Sequence, residues 1–235
     1  MTVTVLQLHK RSSYEFKYIQ DKYSINLDSR VFALSDGTTQ SFNSEAWAQI
    51  ITDAFTQSPS FDSKVILTQL KECVPSFINT KYSFSNNKLI RGLEEEKQKT
   101  GGTATLIGIK IKSNTSFNCI TCGDSNIFIK TPKGSINPYP NKTLDELDVS
   151  NQFINTDDLL NDKISNDSLK ISSVRIPQDS TIIMATDALS RFFIKYPDKV
   201  DEFLNIRDFS GLLEFCKSNW DKKELEEDDI SAVII

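Results

Sequence analysis

The chain has 235 residues, 38% of them hydrophobic and 25% charged, with a formal net charge of −5. That length suits one domain or at most two small ones, the apolar share supports a sizeable core, and the acidic balance excludes the basic field that binding a phosphate backbone needs, so nucleic acid is not an expected partner. No apolar run approaches the roughly 20 residues of a membrane span, the N-terminal stretch lacks a signal peptide's apolar block, and four cysteines with a single histidine exclude a disulfide-dense scaffold and point to a reducing cytoplasm.

The first predicted strands run from Val3 to Leu8, near Tyr23–Leu27, and over VFALS at 31–35. All are rich in the β-branched and aromatic residues that pleated surfaces prefer. An amphipathic helix follows, in which Ala46/Trp47, Ile50/Ile51 and Ala54/Phe55 repeat every four residues, with Asn43 or Ser44 as its cap. A second helix is predicted from Asp62, burying Ile66, Leu70, Cys73 and Val74, with Pro75 ending or kinking it. A third covers about 87–98 and closes on a solvated charge run, EEEKQK. Strands resume at TATLIGIKI (103–111), SFNCITCG (116–123) and NIFIK (126–130), and their short turns suggest an antiparallel meander.

The polar stretch 131–167 is too long for a plain connection and reads as an insert or a loop within a single domain spanning 1–235. Strands at 169–174 and 180–186, a helix pair over 189–219 and a closing strand at 230–235 complete the chain. The second helix of that pair is expected to bury Phe209, Leu212, Leu213, Cys216 and Trp220. This order predicts an α+β fold of two packed antiparallel sheets with helices outside.

Acidic residues sit where apolar strands stop or start. Asp36 follows VFALS, Asp124 follows FNCITCG, Asp187 follows TIIMAT, Asp228 and Asp229 precede ISAVII, and Asp21 precedes a strand. Taken singly, each reads as a turn former, because Asp bonds local backbone and Gly takes positive φ. Together, carboxylates at strand ends can converge on one edge of a sandwich. They cannot share a site as bare anions, and a divalent cation with oxygen preference removes that problem.

Six ordered motifs carry a resemblance that covers about residue 20 to the last residue. Gln20-Asp21, FALSDGTTQ (32–40), TGGTATLIGI (100–109), CGDSNIFI (122–129), IIMATDALSRF (182–192) and DDISAVII (228–235) resemble, in order, the motifs of the metal-dependent type 2C protein phosphatases, and most resemble the bacterial branch. The resemblance implies a four-layer α-β-β-α sandwich and two Mg²⁺ or Mn²⁺ ions. It implies hydrolysis of phosphoserine or phosphothreonine in proteins by a hydroxide held between the ions, with no membrane partner and no required oligomer.

By resemblance, Asp36 bridges the two ions, the Gly37 carbonyl adds a ligand, and Asp187 and Asp228 complete the first ion. Gln20 matches the position of a Glu that serves the second ion through water. Asp21 orients water, and Asp124 matches a ligand of an additional, weaker ion.

The family pattern is broken at several places. Gln20 replaces Glu, Thr39 and Gln40 replace a Gly pair, Asn126 replaces Arg, and Ala188 replaces Gly. The phosphate-binding Arg before the first acidic motif is matched by Phe16, beside which Lys17 offers only a point charge. Arg191 stands where the family has a second carboxylate, so it is expected near Asp124 or turned toward the substrate phosphate, with no stable third ion. The departures at Gln20, Asn126 and Ala188 favour a rival reading, a catalytically weak or inactive binding module on the same fold, whereas the retained Asp36, Asp187 and Asp228 favour the enzyme. Cys119 and Cys122 form a Cys-x-x-Cys, but a separation of three puts them on opposite faces of a strand, which is wrong for a disulfide or shared metal. His9, the only histidine, reads as ordinary surface.

Overall fold

The computed structural model describes residues 1–12, 18–150 and 152–235. Its strands are β1 (Thr4–Leu8), β2 (Lys22–Asn26), β3 (Val31–Ser35), β4 (Thr103–Ala104), β5 (Leu106–Ser113), β6 (Ser116–Cys122), β7 (Asn126–Lys130), β8 (Ile136–Tyr139), β9 (Ile154–Asn155), β10 (Lys170–Arg175), β11 (Thr181–Ala185) and β12 (Ile230–Ile234). Its helices are α1 (Ser44–Gln57), α2 (Ser63–Ile78), α3 (Lys88–Thr100), α4 (Leu144–Asp148), α5 (Thr156–Leu160), α6 (Asp187–Lys195), α7 (Lys199–Leu204) and α8 (Phe209–Asp221).

Two five-stranded sheets are ordered β1-β12-β11-β7-β8 and β10-β6-β5-β3-β2, and all recorded strand pairs within them are antiparallel. Between the sheets lies a core of Phe32, Leu34, Ile107, Ile109, Phe117, Ile127, Met184 and Val233. The outer face of the first sheet packs on α6, α7 and α8 through Phe192, Phe193, Phe203 and Phe215. That of the second packs on α1 and α2 through Trp47, Ile51, Phe55, Ile66, Leu70 and Val74. The layers are therefore helix, sheet, sheet, helix, as expected. Each strand alternates between a neighbouring sheet and a neighbouring helix layer, which is why the central strands are apolar on both faces.

Five expectations need correction. The run 103–130 is not one meander: β5 and β6 pair in one sheet, whereas β7 belongs to the other. The chain changes sheets at Gly123, whose φ of 92° is open to glycine and whose Cβ would meet Thr105 Cγ2 at 2.7 Å. Pro75 does not end α2, which runs on to Ile78. Pro in the last turn forfeits one backbone bond, and Val74 and Phe77, buried around it, hold the turn in place. Asn43 lies before α1 in a left-handed conformation and neither it nor Ser44 caps the helix with its side chain. The helix pair over 189–219 is three helices, and Phe209, at the first turn of the last one, is 56% exposed. The segment 131–167 is no bare loop: it forms β8, α4, β9 and α5, and β9 pairs with β4 beside the second sheet. Leu147, Ile154 and Leu159 anchor it by burial.

Candidate metal centre

Strand register brings the acidic residues to one edge. β12 pairs with β1 at Leu8↔Ile230 and with β11 at Ala185↔Ala232, so the ends of β1 and β11 meet the start of β12. β2 pairs with β3 at Lys22↔Ser35, which sets Asp21 beside Asp36. β7 starts opposite Ala185, which brings Asp124 to the same rim. Asp36 and Asp187 are half-buried there, and Asp21 is fully buried behind them.

Asp36 is held by its own backbone. Its N–H donates to Thr105 Oγ1 at 2.8 Å, and its carbonyl accepts from Thr105 N at 2.8 Å. Thr105 Oγ1 in turn lies 2.9 Å from Ser125 Oγ, tying the site to the β6–β7 switch. Gly37 follows in a tight passage: a Cβ there would meet Ser44 backbone C and O at 2.8 Å and Gln20 O at 3.0 Å, so no other residue fits. Asp187 opens α6, and its Oδ1 accepts from Ala188 N at 2.6 Å. Asp21 Oδ2 accepts from Thr186 Oγ1 at 3.0 Å, which uses the hydroxyl that would otherwise cap α6. Asp229 is buried and accepts from the backbone N–H groups of Lys10 (2.9 Å) and Gln20 (2.7 Å), clamping the first acidic motif to β12.

The electrostatics are those of crowded acids. Burial first, then Asp187, Asp21, Asp124 and Asp228, push the Asp36 carboxyl well above its ordinary range. Burial, then Asp124 and Asp228, raise Asp187 to about 7, against the relief of hydrogen bonds from Ala188 and Asp36. Burial and Asp229 raise Asp21 to about 8. Burial also raises Asp124, partly countered by Arg191. Among the described residues no basic side chain forms an ion pair with Asp36 or Asp187.

The sequence-predicted ligands Asp36, Asp187, Asp228 and Asp124 thus stand within electrostatic reach of one another, with Gly37 and Gln20 alongside. Among the described residues, however, no three His, Cys, Asp or Glu side chains are pre-arranged around one point as a closed metal shell. The donor chemistry still fits a hard divalent cation. The donors are all oxygen, and among the described residues no basic side chain pairs with the neighbouring carboxylates Asp36 and Asp187. The fit is poorer toward Gln20. Its Nε2 donates to Ser44 Oγ at 2.9 Å, and its Oε1 accepts from Thr39 Oγ1 at 2.7 Å and from Lys10 Nζ at 3.3 Å.

Arg191 stands within electrostatic reach of Asp124, while its guanidinium pairs with Asp148 and lies 3.8 Å from Glu226. Asp148 reaches it from α4, folded from the polar insert. Lys17 and Phe16 lie outside the described residues. Asn126 is fully buried and forms a two-way pair with the Asn141 backbone (2.8 and 3.1 Å), a structural role in place of the family's Arg. Cys119 faces the inter-sheet core and Cys122 the helix layer, on opposite faces as expected, and all four cysteines are free. His9 is half-buried at the end of β1, with Nδ1 3.0 Å from Lys10 O.

Lys10 was not foreseen as part of the site. In the β1–β12 register, where Leu8 faces Ile230, Lys10 falls opposite Asp228, but that pairing is not visible from the sequence.

Neither a protein-family model nor a curated protein sequence matches the chain. Solved structures do. A bacterial serine phosphatase matches with a TM-score of 0.67 at 10% identity, covering 100% of this chain and 96% of that one. The catalytic domain of the serine threonine protein phosphatase PstP, solved with two manganese ions, matches with a TM-score of 0.62 at 12% identity over 99% and 96%. RsbX in complex with magnesium matches with a TM-score of 0.56 at 16% identity over 99% and 92%. The chain has the fold of the bacterial type 2C phosphatases over its whole length.

Proposed function

We propose that this chain is a Mg²⁺- or Mn²⁺-dependent phosphatase acting on phosphoserine or phosphothreonine in proteins. The observation that carries the reading is the pair Asp36 and Asp187. Two neighbouring carboxyls, raised by burial and by the acids around them, stand at strand ends, and among the described residues no basic side chain pairs with either. Solved neighbours of the fold hold Mn²⁺ or Mg²⁺.

Asp36, Asp187 and Asp228, with the Gly37 carbonyl, would hold the cation. When bound, it activates water and neutralises the charge that develops on the phosphoryl oxygens. The chain's own residues supply the rest. Thr105 fixes the backbone of Asp36, and Ala188 N–H fixes the Asp187 carboxylate. Asp21, pinned by Thr186 and raised by burial and by Asp229, lies directly behind the acidic rim, where it would orient water. Lys10 and Asp229 hold Gln20 and the β12 start together.

A phosphoprotein is the proposed partner, and the reducing cytoplasm, from the free cysteines, the proposed setting. Among the described residues no helix is long and apolar enough to cross a membrane. The second reading, a weak or inactive module of the same fold, is favoured by one feature: Gln20 and Lys10 together lower the negative charge on one side of the site. Hydrolysis of a chromogenic aryl phosphate decides between them. Release that needs Mn²⁺ and stops with EDTA supports the enzyme, and binding of Mn²⁺ without release supports the module.

A further inference from the structure

Resting on the phosphatase reading, we infer that Lys10 is a built-in cation that takes the place of the second divalent ion, so that the site holds one tightly bound metal. The resemblance implies two ions, of which one remains. The Lys10 ammonium lies 3.3 Å from Gln20 Oε1, 3.2 Å from Thr39 Oγ1 and 3.4 Å from Asp228 Oδ1. Three oxygens from three separate elements surround one positive charge. The distances exceed a tight two-centre hydrogen bond and suit an ammonium shared among several oxygens.

Charge matching gives the reason. Gln20 and Thr39 are neutral and Asp228, shared with the proposed cation, carries one negative charge, so these three oxygens offer at most a single negative charge. A monovalent ammonium satisfies that set, whereas a divalent ion there is left with excess positive charge and faces Lys10 as a like charge at close range. On the other side of the site, among the described residues no basic side chain pairs with Asp36 or Asp187, which keep their demand for a cation.

Lys10 is held for this role and is no loose surface charge. Its backbone N–H is fixed by buried Asp229 at 2.9 Å, and its side chain is 17% exposed against 44% for Asp228. Its partner Gln20 is fixed in turn: the Nε2 bond to Ser44 leaves Oε1 directed at Lys10 and Thr39. An acid at position 20 would add the missing negative charge, and a neutral residue at position 10 would remove the competing positive one. The two substitutions are therefore expected to act together.

The test is Mn²⁺ binding stoichiometry, read by electron paramagnetic resonance of free Mn²⁺ during titration of the intact chain, which needs no catalysis. The wild type is expected to take one tight Mn²⁺ per chain. The variant Lys10→Met with Gln20→Glu is expected to take a second, with its affinity raised at least about tenfold over any second binding by the wild type. Lys10→Gln, which removes the charge and keeps a polar side chain, replaces Lys10→Met if the latter fails to fold by thermal melt.

Two ions of matching affinity in the wild type would overturn the inference, as would a double variant that stays at one. A wild type that binds no Mn²⁺ overturns it together with the phosphatase reading. Aryl phosphate release, measured on the same samples, reports on that reading separately: one bound ion with Mn²⁺-dependent release upholds both.

Discussion

Asp21→Asn is expected to make the chelator-treated protein more stable, by an amount that grows with pH. Asp21 is 1% exposed, faces Asp229, and is raised from 3.8 to about 8. A folded-state value above the unfolded one gives stability that is fully present below about pH 4 and is lost as pH rises toward about 8. Between pH 5 and 7 the folded carboxyl keeps its proton while the unfolded one has released it. Unfolding therefore frees one proton, and wild-type stability falls by about 1.4 kcal/mol per pH unit on this account alone.

Asn cannot ionise in either state. Its Oδ1 still accepts from Thr186 Oγ1, and its NH₂ stands where the acid carries its proton. The stability gain of the variant should be under about 2 kcal/mol at pH 5 and about 4 kcal/mol at pH 7, a difference of about 3 kcal/mol across the interval. Urea unfolding of both proteins in EDTA, at the two pH values, measures it. A variant that is less stable throughout, or a gain that does not change with pH, refutes the account of Asp21 as a buried, protonated acid. The other raised carboxyls, Asp36 and Asp187, add slope to both proteins, and because Asp21 is among the charges that raise Asp36, its removal lessens that slope in the variant and acts in the same direction.

Asp36→Asn and Asp187→Asn should each lower Mn²⁺-dependent aryl phosphate release at least about a hundredfold while far-ultraviolet circular dichroism is unchanged, because an amide binds a hard cation less well than a carboxylate; wild-type turnover in either variant removes that residue from the site. Gly37→Ala should destabilise by about 1–3 kcal/mol in urea unfolding, since its Cβ would meet backbone atoms of Ser44 at 2.8 Å that have no rotamer to move; an unchanged midpoint would show that the passage is looser than it looks. The double variant Cys119→Ser, Cys122→Ser should keep its activity, and no zinc should co-purify with the parent, as burial has pushed both thiols up to about 12 and set them on opposite faces; stoichiometric zinc lost on the double substitution would contradict this.

Much of the fold was legible because its elements carry their own signals. VFALS is β3 to the residue, and the four-residue repeat of Trp47, Ile51 and Phe55 marks the buried stripe of α1. Asp62 and Asn87 cap α2 and α3 with their side chains, as a local reading expects. What failed depended on partners far along the chain. Ser44 does not cap α1, and its hydroxyl meets Gln20 instead. The switch of β7 to the other sheet is set by its pairing with β11, which no short-range pattern encodes. The same holds in the site. The acids were visible as residues at strand ends, but Lys10 enters through the β1–β12 register and Asp148 through a helix folded from a polar insert.

Three residues around the acids lower or counter their negative charge, and this bears on how the site works. Gln20 is neutral, Lys10 contacts Asp228, and Arg191 stands close enough to Asp124 to counter part of its raised affinity for protons. The flanks of the acidic rim are thereby balanced by the protein itself. Asp36 and Asp187 between them are not: burial and the charge of the surrounding acids raise both, and no described basic group pairs with either. An uncompensated pair set between compensated neighbours concentrates the demand for a cation at one point. A substrate phosphate carries further negative charge and gains least by approaching that pair directly, so the same arrangement that draws a metal to Asp36 and Asp187 makes phosphate binding depend on the metal being there first.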